Sequence, residues 1–382
     1  MDNLYQIYCK VRKEGVAQSA SLGIHRCDYL LHTPQGASAR TARIQQVEFN
    51  TVSASFGSLC SRTSELHKYL HVAVDNYANG MIKLNQLPDN RAIDALANGL
   101  ACAWKVYGKP DARVLMIVQG GERNIFDQRW IEYNLLKVHG IRMMRRTMGE
   151  VHATATLDPT TKALIIDGHE IAVSYYRAAY GPEDFFGPEE WEARLTVERS
   201  ASIKCPTVAY QLVGAKKVQQ VLSVPGRLER YVDKYTADLL RESFAGLYPL
   251  DNSPEGIKAY QAAMENPEKY VLKPQREGGG HNFYGKEIVN VLNKLSEEER
   301  NAYILMDLIQ SPPLQNLMVR EGEIIKGDVI SELGIYGIYV HDGENEVHNE
   351  IGGHLLRTKA HNTNEGGVAA GFAVIDSPLL ID

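Results

Sequence analysis

The sequence lacks the features that would place a protein in a membrane or in an oxidising compartment. Its 382 residues include five cysteines, an odd number that is scattered and never spaced as C-x-x-C. This usage favours reduced cysteines that serve in packing over a disulfide framework or a zinc site. No apolar run approaches the length that crosses a bilayer, and the first residues lack the cationic and apolar regions of a signal peptide. We therefore expect a cytoplasmic protein with no membrane partner.

The chain also lacks an excess of positive charge. Its 41 Lys and Arg residues against 47 Asp and Glu residues give a net charge of −6, so the electrostatic signature of nucleic-acid binding is absent. Hydrophobic residues make up 44% and charged residues 23% of the chain, which is typical of a globular protein. The length allows two or three structural units.

The segment from Lys273 to Gly285 fits neither of two common nucleotide motifs. It is not G-x-x-x-x-G-K-[ST], and it is not G-x-G-x-x-G opening a helix. Lys273 ends a short apolar run that is typical of a strand, and Glu277 precedes three glycines. Glycines let phosphate oxygens approach backbone N–H groups, while a lysine supplies a cation and a glutamate an oxygen ligand for Mg²⁺. We interpret the segment as a nucleotide-binding loop; a glycine hairpin tip without a ligand is the alternative.

Hydrophobic periodicity predicts a mixed α/β fold. An amphipathic helix is predicted after Asp2, and residues 113–145 have the strand–helix–strand pattern of a βαβ unit. Asp167-Gly168 between two β-rich runs indicates a hairpin. Residues 214–341 alternate predicted helices and strands.

A predicted strand that ends at Asn50 carries candidate metal ligands. Period-two alternation places Glu48 and Asn50 on one face, where a carboxylate and an amide oxygen can share a hard cation with Glu277. Ser53 and Ser55 continue this alternation into a loop that offers hydroxyls to a bound anion. A solvated strand followed by a serine-rich turn is the alternative.

Three arginines are predicted to lie in polar turns where apolar stretches end: Arg26, Arg177 and Arg357. The planar fork of arginine binds a carboxylate or a phosphate through two hydrogen bonds. Any one of them alone would more often be a surface ion-pair partner. Three in a chain with a nucleotide loop favour an anionic substrate.

The turn after the first buried strand contains Glu122, Asn124 and Gln128. Open parallel sheets bind ligands at the carboxyl ends of their strands, so Glu122 is a candidate for a substrate amine and the amides for hydrogen bonds; a helix cap is the alternative. Lys216, at a predicted helix start, is a candidate phosphate ligand, with a solvated lysine as the alternative. Glu332 lies in a largely apolar strand and needs a partner, either a nucleotide or a buried ion pair.

Together these segments resemble the eukaryotic glutathione synthetases. The matching blocks span essentially the whole chain in family order: Q-V-E-F-N-T-V-S-A-S-F-G, E-R-N-I-F-D-Q-R, G-A-K-K-V-Q-Q, K-P-Q-R-E-G-G-G, I-S-E-L-G-I-Y-G, H-L-L-R-T-K and G-G-V-A-A-G. The resemblance implies an α/β ATP-grasp fold of circularly rearranged order, with a parallel-sheet substrate-binding domain inserted. The implied domains are an N-terminal part of the core over 1–111, the inserted βαβ domain over 112–214, and an ATP-grasp and lid region over 215–382.

The resemblance also implies an ATP-dependent carbon–nitrogen ligase. Such an enzyme joins γ-glutamylcysteine to glycine through an acyl phosphate, requires ATP and Mg²⁺, and is a homodimer. The given sequence begins well inside the usual family length, so we expect some of the dimer contacts to be missing. Ala178-Ala179 replaces the Asp-Gly that is usual beside the dipeptide site. A diverged member that binds nucleotide or a thiol peptide, with another acceptor or without ligase activity, is therefore the alternative.

The roles of individual residues are carried over from the family onto matching positions. The implied metal ligands are Glu48, Asn50 and Glu277, and the residues implied to surround the reacting centre are Arg26, Ser55, Gly278 and Arg357. The implied ATP contacts are Glu48, Lys216, Lys273, Gln275, Arg276, Gly278, Gly279, Asn282, Tyr284, Met306, Asp307, Leu308, Ile309, Glu332, Lys359 and Glu365. The implied dipeptide and glycine contacts are Arg26, Ser53, Ala54, Ser55, Glu122, Asn124, Gln128, Arg177, Tyr180, Arg357, Val368 and Ala369.

Overall fold

The computed structural model describes residues 1–34, 36–37, 41–75, 82–277, 280–363, 366–368 and 371–381. Within these ranges the helices are α1 (Asp2–Glu14), α2 (Gly57–Ala73), α3 (Ala92–Tyr107), α4 (Ile125–His139), α5 (Met148–Thr154), α6 (Pro188–Arg199), α7 (Val208–Val213), α8 (Lys216–Ser223), α9 (Lys234–Arg241), α10 (Pro254–Glu265), α11 (Lys286–Leu292) and α12 (Glu297–Arg300). None of these helices combines the length and the apolar character needed to span a bilayer.

The strands of the same ranges form three sheets. They are β1 (Ser21–His32), β2 (Arg43–Asn50), β3 (Arg113–Ile117), β4 (Met143–Arg146), β5 (Ala155–Leu157), β6 (Leu164–Ile166), β7 (His169–Tyr176), β8 (Ile203–Cys205), β9 (Leu247–Tyr248), β10 (Tyr270–Pro274), β11 (Phe283–Tyr284), β12 (Tyr303–Asp307), β13 (Leu314–Arg320), β14 (Glu323–His341), β15 (Glu346–Ala360) and β16 (Ala373–Asp376). The mixed α/β fold that periodicity predicts is thus confirmed.

The first sheet joins the two ends of the chain. Its antiparallel strands have the order β16-β15-β14-β1-β2, and β13 also pairs with β14. At one end of one face, Leu22, Ile24 and Ile338 belong to the largest core cluster, which includes the buried side of α3. Further along the same strands, Arg26 and Glu332 lie on the same face by period-two alternation and line a cleft. One sheet face therefore supplies both the core and part of the cleft wall.

The second sheet contains the predicted βαβ unit. Strands β3 and β4 are parallel and are connected by α4, and β7 and β8 continue the parallel pairing. Strands β5 and β6 form an antiparallel edge, and β6 is joined to β7 by the predicted hairpin. Its turn residues Asp167 and Gly168 have φ angles of 48° and 77°, as a two-residue turn with φ above zero at both positions requires. The carboxyl ends of β3 and β7 lead directly to cleft residues.

The third sheet is antiparallel, with the order β11-β10-β12-β9. One side is covered by α10 and α11 through a buried cluster that includes Leu272, Ile288 and Leu305. On the other side Val271 and Met306 line the cleft. Three sheets therefore surround one opening.

The prediction that Arg26 and Arg357 lie in polar turns is wrong. Both lie within strands, Arg26 in β1 and Arg357 in β15. The segment His25 to Asp28 has polar residues on both faces of β1, which resembles a turn in the sequence. One face contributes to the site, and on the other face the His25 ring contacts Phe49 and Tyr210. Arg177 directly follows β7, as predicted.

Candidate active site

A cleft of about 740 Å³ lies between the three sheets. Metal, nucleotide and peptide residues predicted from separate parts of the chain meet there. The predicted site residues that line it are Arg26, Glu48, Asn50, Ser53, Ala54, Ser55, Glu122, Asn124, Arg177, Tyr180, Lys273, Glu277, Asn282, Tyr284, Met306, Asp307, Leu308, Ile309, Glu332, Arg357, Lys359 and Val368.

Other predicted residues lie outside the lining of the cleft. Gln128 and Lys216 are buried and contact lining residues, while the Gln275 side chain accepts a hydrogen bond from the backbone of Lys217 at 2.8 Å. Arg276 is exposed and pairs with Glu183 at 2.9 Å. Four further predicted residues, Gly278, Gly279, Glu365 and Ala369, lie outside the described residues.

Two of the predicted arginines share one buried carboxylate, that of Asp28. Arg26 Nε and Nη2 donate to it at 2.6 and 2.8 Å, and Arg357 Nη2 donates to it at 3.0 Å. Arg357 also pairs with Glu332. A buried ion pair is one of the two partners predicted for Glu332 from the sequence. Burial alone would lower the pKa of Arg26, but Asp28 outweighs burial and raises it. Both guanidinium groups are therefore charged and oriented.

Glu48, Asn50 and Glu277 present oxygen donors to the same cleft. Burial raises the pKa of Glu277, and Glu48 adds to this rise while Lys216 opposes it. Burial also acts to raise the pKa of Glu48, but Lys216 and Lys273 outweigh it and lower this pKa to about 2. In the described part of the chain no group of three or more His, Cys, Asp or Glu could hold a metal ion. Two carboxylates with an amide oxygen nevertheless fit a hard cation such as Mg²⁺.

Two buried lysines lie beside this donor set. Lys216 Nζ, at the first residue of α8, is 3.4 Å from Glu48 Oε2 and donates to the Arg276 carbonyl at 3.1 Å. Lys273 Nζ donates to the Val47 carbonyl at 2.9 Å, and burial lowers the pKa of Lys273 to about 8. Cations held next to a set of oxygen donors, with an apolar wall nearby, are the surroundings that a nucleoside triphosphate requires.

Glu122 also lines the cleft and is held in place by hydrogen bonds. It accepts hydrogen bonds from the Asn124 backbone N–H at 2.7 Å and from Gln128 Nε2 at 2.9 Å. Gln128 in turn accepts a hydrogen bond from Arg145 Nη2 at 2.6 Å. Asn124 lies at the N-cap of α4, although its side chain makes no capping hydrogen bond. A fixed carboxylate of this kind can bind a substrate ammonium group.

Asp127 anchors Arg177 beside Glu122. This buried carboxylate accepts hydrogen bonds from Arg177 Nη2 at 2.9 Å and from the backbone N–H groups of Phe56 and Ser58 at 2.9 and 2.8 Å. Asp127 lies on α4 and accepts hydrogen bonds from backbone N–H groups at the start of α2, which have no partner within their own helix. Burial alone would lower the pKa of Arg177, but Tyr175 and Asp127 outweigh burial and raise it. The guanidinium group is therefore charged, and Arg177 lines the cleft, where it can attract an anionic ligand group.

Backbone strain is concentrated around this arginine. Ser53, Phe56 and Ala179 have φ angles of 52°, 71° and 64°, in the left-handed region that non-glycine residues rarely adopt. Ser53 Oγ donates to the Tyr176 carbonyl at 3.1 Å, so the strained loop is tied to the end of β7. Such strain persists where surrounding contacts hold it, and it is found most often at functional sites.

Sequence reasoning missed three residues that organise the site: Asp28, Asp127 as an anchor for another helix, and Tyr336. Tyr336 OH donates to the Ser55 carbonyl at 2.5 Å, and the same carbonyl accepts from Arg26 Nη1 at 3.3 Å. The available signal for Asp28 was its position two residues after Arg26, on the same face of a strand. The contacts of Asp127 and Tyr336 link distant parts of the chain and have no local signal.

Three sheets around a cleft that combines buried lysines, arginines and an oxygen donor set define a nucleotide-binding protein of the mixed α/β class. Residues 1–380 match the family model described as the ATP-binding domain of eukaryotic glutathione synthase. The chain belongs to this eukaryotic glutathione synthase family.

Individual relatives agree with the family assignment. The chain is 44% identical over 384 residues to a glutathione synthetase from Dictyostelium discoideum, covering 99% of this chain and 80% of that relative. It is 46% identical over 380 residues to one from Bos taurus, covering 98% and 78%. The solved structure of a glutathione synthetase-like effector from Globodera pallida has a TM-score of 0.77 and 22% identity, covering 99% of this chain and 80% of that chain. This last likeness shows the fold alone.

Proposed function

We propose that this chain ligates γ-glutamylcysteine to glycine and cleaves ATP to ADP and phosphate. The observation that carries the proposal is the meeting, in one cleft, of two carboxylate-anchored arginines, two buried lysines and an oxygen donor set. The similarity to glutathione synthetases over almost the whole chain supports it.

The dipeptide is assigned to the end of the cleft where Glu122 and Arg177 lie. Glu122 binds its ammonium group, and the charged guanidinium group of Arg177 binds the carboxylate that does not react. Tyr180 and Ser53 line the same region. This arrangement leaves the second carboxylate of the dipeptide directed toward the reacting centre.

In the first step an oxygen of this second carboxylate attacks the γ-phosphorus of ATP. An O–P bond forms, the bond from that phosphorus to the bridging oxygen breaks, and ADP leaves. Negative charge spreads over the phosphoryl oxygens, and Arg26, Arg357 and Lys273 stabilise it.

In the second step the glycine amine attacks the carbonyl carbon of the acyl phosphate. The C–N bond forms, the C–O bond to phosphate breaks, and the amine proton leaves with the phosphate. The intermediate is an anionic tetrahedral species, so fixed cations are again the groups that accelerate the step. No protein nucleophile is required.

Glu48, Asn50 and Glu277 are the residues that would hold Mg²⁺. When bound, the ion supplies charge neutralisation to the triphosphate. The donor set fits this role because all three side chains line one cleft and offer oxygen only.

We further propose a cytoplasmic homodimer. The five cysteines, all in described ranges, are free thiols, which suits a reducing compartment. Phe126 and Tyr133 on α4 are 70% and 52% exposed, and large exposed apolar side chains in proximity often mark contacts between proteins. Sedimentation of the purified protein distinguishes a dimer from a monomer, and a monomer at micromolar concentration would contradict this part of the proposal.

The function is tested by ADP release from ATP and Mg²⁺. We expect ADP only when both γ-glutamylcysteine and glycine are present, with glutathione formed in equal amount. Assays with β-alanine or serine in place of glycine test the choice of acceptor. A folded protein that releases no ADP above background would contradict the proposal.

A further inference from the structure

Asp28 lies at the centre of the proposed active site but outside the lining of the cleft. It is fully buried on β1. Its carboxylate accepts four hydrogen bonds from three site residues: two from Arg26 at 2.6 and 2.8 Å, one from Arg357 at 3.0 Å and one from Asn50 at 3.0 Å. A single side chain thus connects the reacting centre to the metal donor set.

The contact with Asn50 fixes the orientation of its amide. Asn50 Nδ2 donates to Asp28 Oδ2 at 3.0 Å and to the Arg26 carbonyl at 3.1 Å. Since both contacts hold the amide nitrogen, the amide oxygen is the atom left to a cation. Outer contacts of this kind orient metal ligands and affect metal affinity.

The contacts with the arginines bring two positive charges together. Arg26 and Arg357 repel each other when no anion lies between them, and this repulsion is strong where water is excluded. The Asp28 carboxylate lies between them and binds Arg26 through two donors. The arginines can therefore point toward the same reacting group without separating.

The sheet leaves room for this carboxylate at Gly334. Gly334 is the residue paired with Asp28 on β14, and a Cβ at this glycine would lie 2.7 Å from Asp28 Oδ1. Any larger residue would displace the carboxylate or the Arg26 side chain. Glycine at position 334 therefore leaves the space that the Asp28 carboxylate occupies.

We propose that Asp28 is a positioning residue that holds Arg26 and Arg357 at the reacting centre and turns the oxygen of Asn50 toward the metal. The inference rests on the ligase function proposed above. It adds a residue that touches neither substrate nor metal and acts through three that do.

The first test compares Asp28→Asn with Glu198→Gln. Glu198 is a matched control, because it is a buried carboxylate paired with Arg194 at 2.9 Å away from the cleft. We expect Asp28→Asn to lower kcat about 100-fold and to raise the Mg²⁺ concentration for half-maximal rate about tenfold. Glu198→Gln lowers the melting temperature but leaves kcat and the Mg²⁺ requirement within twofold of wild type.

A second test asks whether Asp28 acts through Arg357. We expect the double variant Asp28→Asn/Arg357→Ala to lose at least tenfold less kcat than the product of the two single losses, because the contact between Asp28 and Arg357 is already gone in Arg357→Ala. A purely structural Asp28 predicts losses that multiply. Multiplied losses, or an Asp28→Asn variant within twofold of wild type in both kcat and Mg²⁺ requirement, would overturn the inference.

Two further measurements keep the test decisive. If Asp28→Asn does not fold, Gly334→Ala displaces the carboxylate without removing its charge, and we expect at least a tenfold loss of kcat; wild-type kinetics would overturn the inference. If the wild-type chain has no turnover, the proposed function fails, and calorimetry of Mg²⁺-dependent ADP binding tests Asp28 separately. Equal Mg²⁺ dependence in wild type and Asp28→Asn would then count against its role.

Discussion

Arg357 Nη2 lies 3.0 Å from Asp28 Oδ2, although the two residues are 329 positions apart in the chain. They reach each other across β14, which pairs with β1 on one side and β15 on the other. The proposed reacting centre therefore forms only when β1, near the start of the given sequence, and β15, near its end, are both paired with β14.

Replacing Arg357 by lysine tests the need for a planar fork. Arg357→Lys keeps the charge but cannot contact Asp28, Glu332 and a substrate oxygen together. We expect a fall in kcat of about 100-fold with little change in melting temperature, measured by ADP release. Arg199→Lys, at a surface pair with Glu14, is the control and should have wild-type kinetics. Equal kinetics in both variants would place Arg357 outside the chemistry.

Replacing Glu277 by glutamine tests the proposed metal ligands. Glu277→Gln removes a negative charge from the loop after β10, so turnover should fall at least tenfold and recover in part at high Mg²⁺. Glu287→Gln, on the exposed first turn of α11, is the control. Parallel losses of melting temperature and activity in Glu277→Gln would indicate a structural role instead.

Replacing Asp127 by asparagine tests the anchor of Arg177 and α2. The change leaves the Arg177 guanidinium buried without its anion, so the free energy of unfolding should fall by about 3 kcal/mol in denaturant titrations. The apparent KM for the dipeptide should rise as well. Asp94→Asn, which alters an exposed carboxylate that accepts from Asn134 on α4, should cost less than about 0.5 kcal/mol. Similar costs for both variants would refute the anchoring role.

Because His25 is buried, we expect the protein to lose stability in mild acid. Burial lowers the pKa of His25 from 6.5 to about 4, so between these values the unfolded chain binds more protons than the folded one. The free energy of unfolding therefore falls as the pH drops through this window, by about 2 kcal/mol at pH 5. In His25→Gln this part of the pH dependence should vanish, whereas His67→Gln on α2 should retain it. An unchanged profile in His25→Gln would contradict the prediction.

Replacing Gly99 by alanine should lower the free energy of unfolding, although helix propensity alone would raise it. Alanine is favoured over glycine inside a helix by about 1 kcal/mol, but a Cβ at Gly99 in α3 would lie 2.4 Å from Ile338 Cγ2. We expect Gly99→Ala to lower the free energy of unfolding by about 1 to 3 kcal/mol. Gly149→Ala in α5 is the control, since its nearest neighbour is 4.0 Å away, and should stabilise slightly. A stabilised Gly99→Ala would show that α3 can shift from the sheet.

Local features of the fold could be predicted from the sequence. The βαβ unit and the hairpin at Asp167-Gly168 follow from hydrophobic runs and turn residues that lie next to each other in the chain. The strand ending at Asn50 is recognisable because its polar and apolar residues alternate. In each case the physical cause of the element lies within about thirty residues of sequence.

The parts that could not be predicted depend on distant contacts. Strand β1 mixes polar and apolar residues on both faces, because one end of it packs in the core and the other lines the cleft. Asp28 and Asp127 act on residues from other elements, with partners as far as 329 positions away. The sequence pattern singled out Arg26 and Arg357, and the resemblance to a family placed them at the reacting centre, but their shared anchor could be found only in the structure.

The central claim, ligation through an acyl phosphate in this cleft, is tested most directly by isotope transfer. γ-Glutamylcysteine labelled with ¹⁸O in the reacting carboxylate is converted in the presence of ATP, Mg²⁺ and glycine, and the released phosphate is analysed by mass spectrometry. We expect each released phosphate to contain one oxygen from the labelled carboxylate. Glutathione formed with unlabelled phosphate would contradict it.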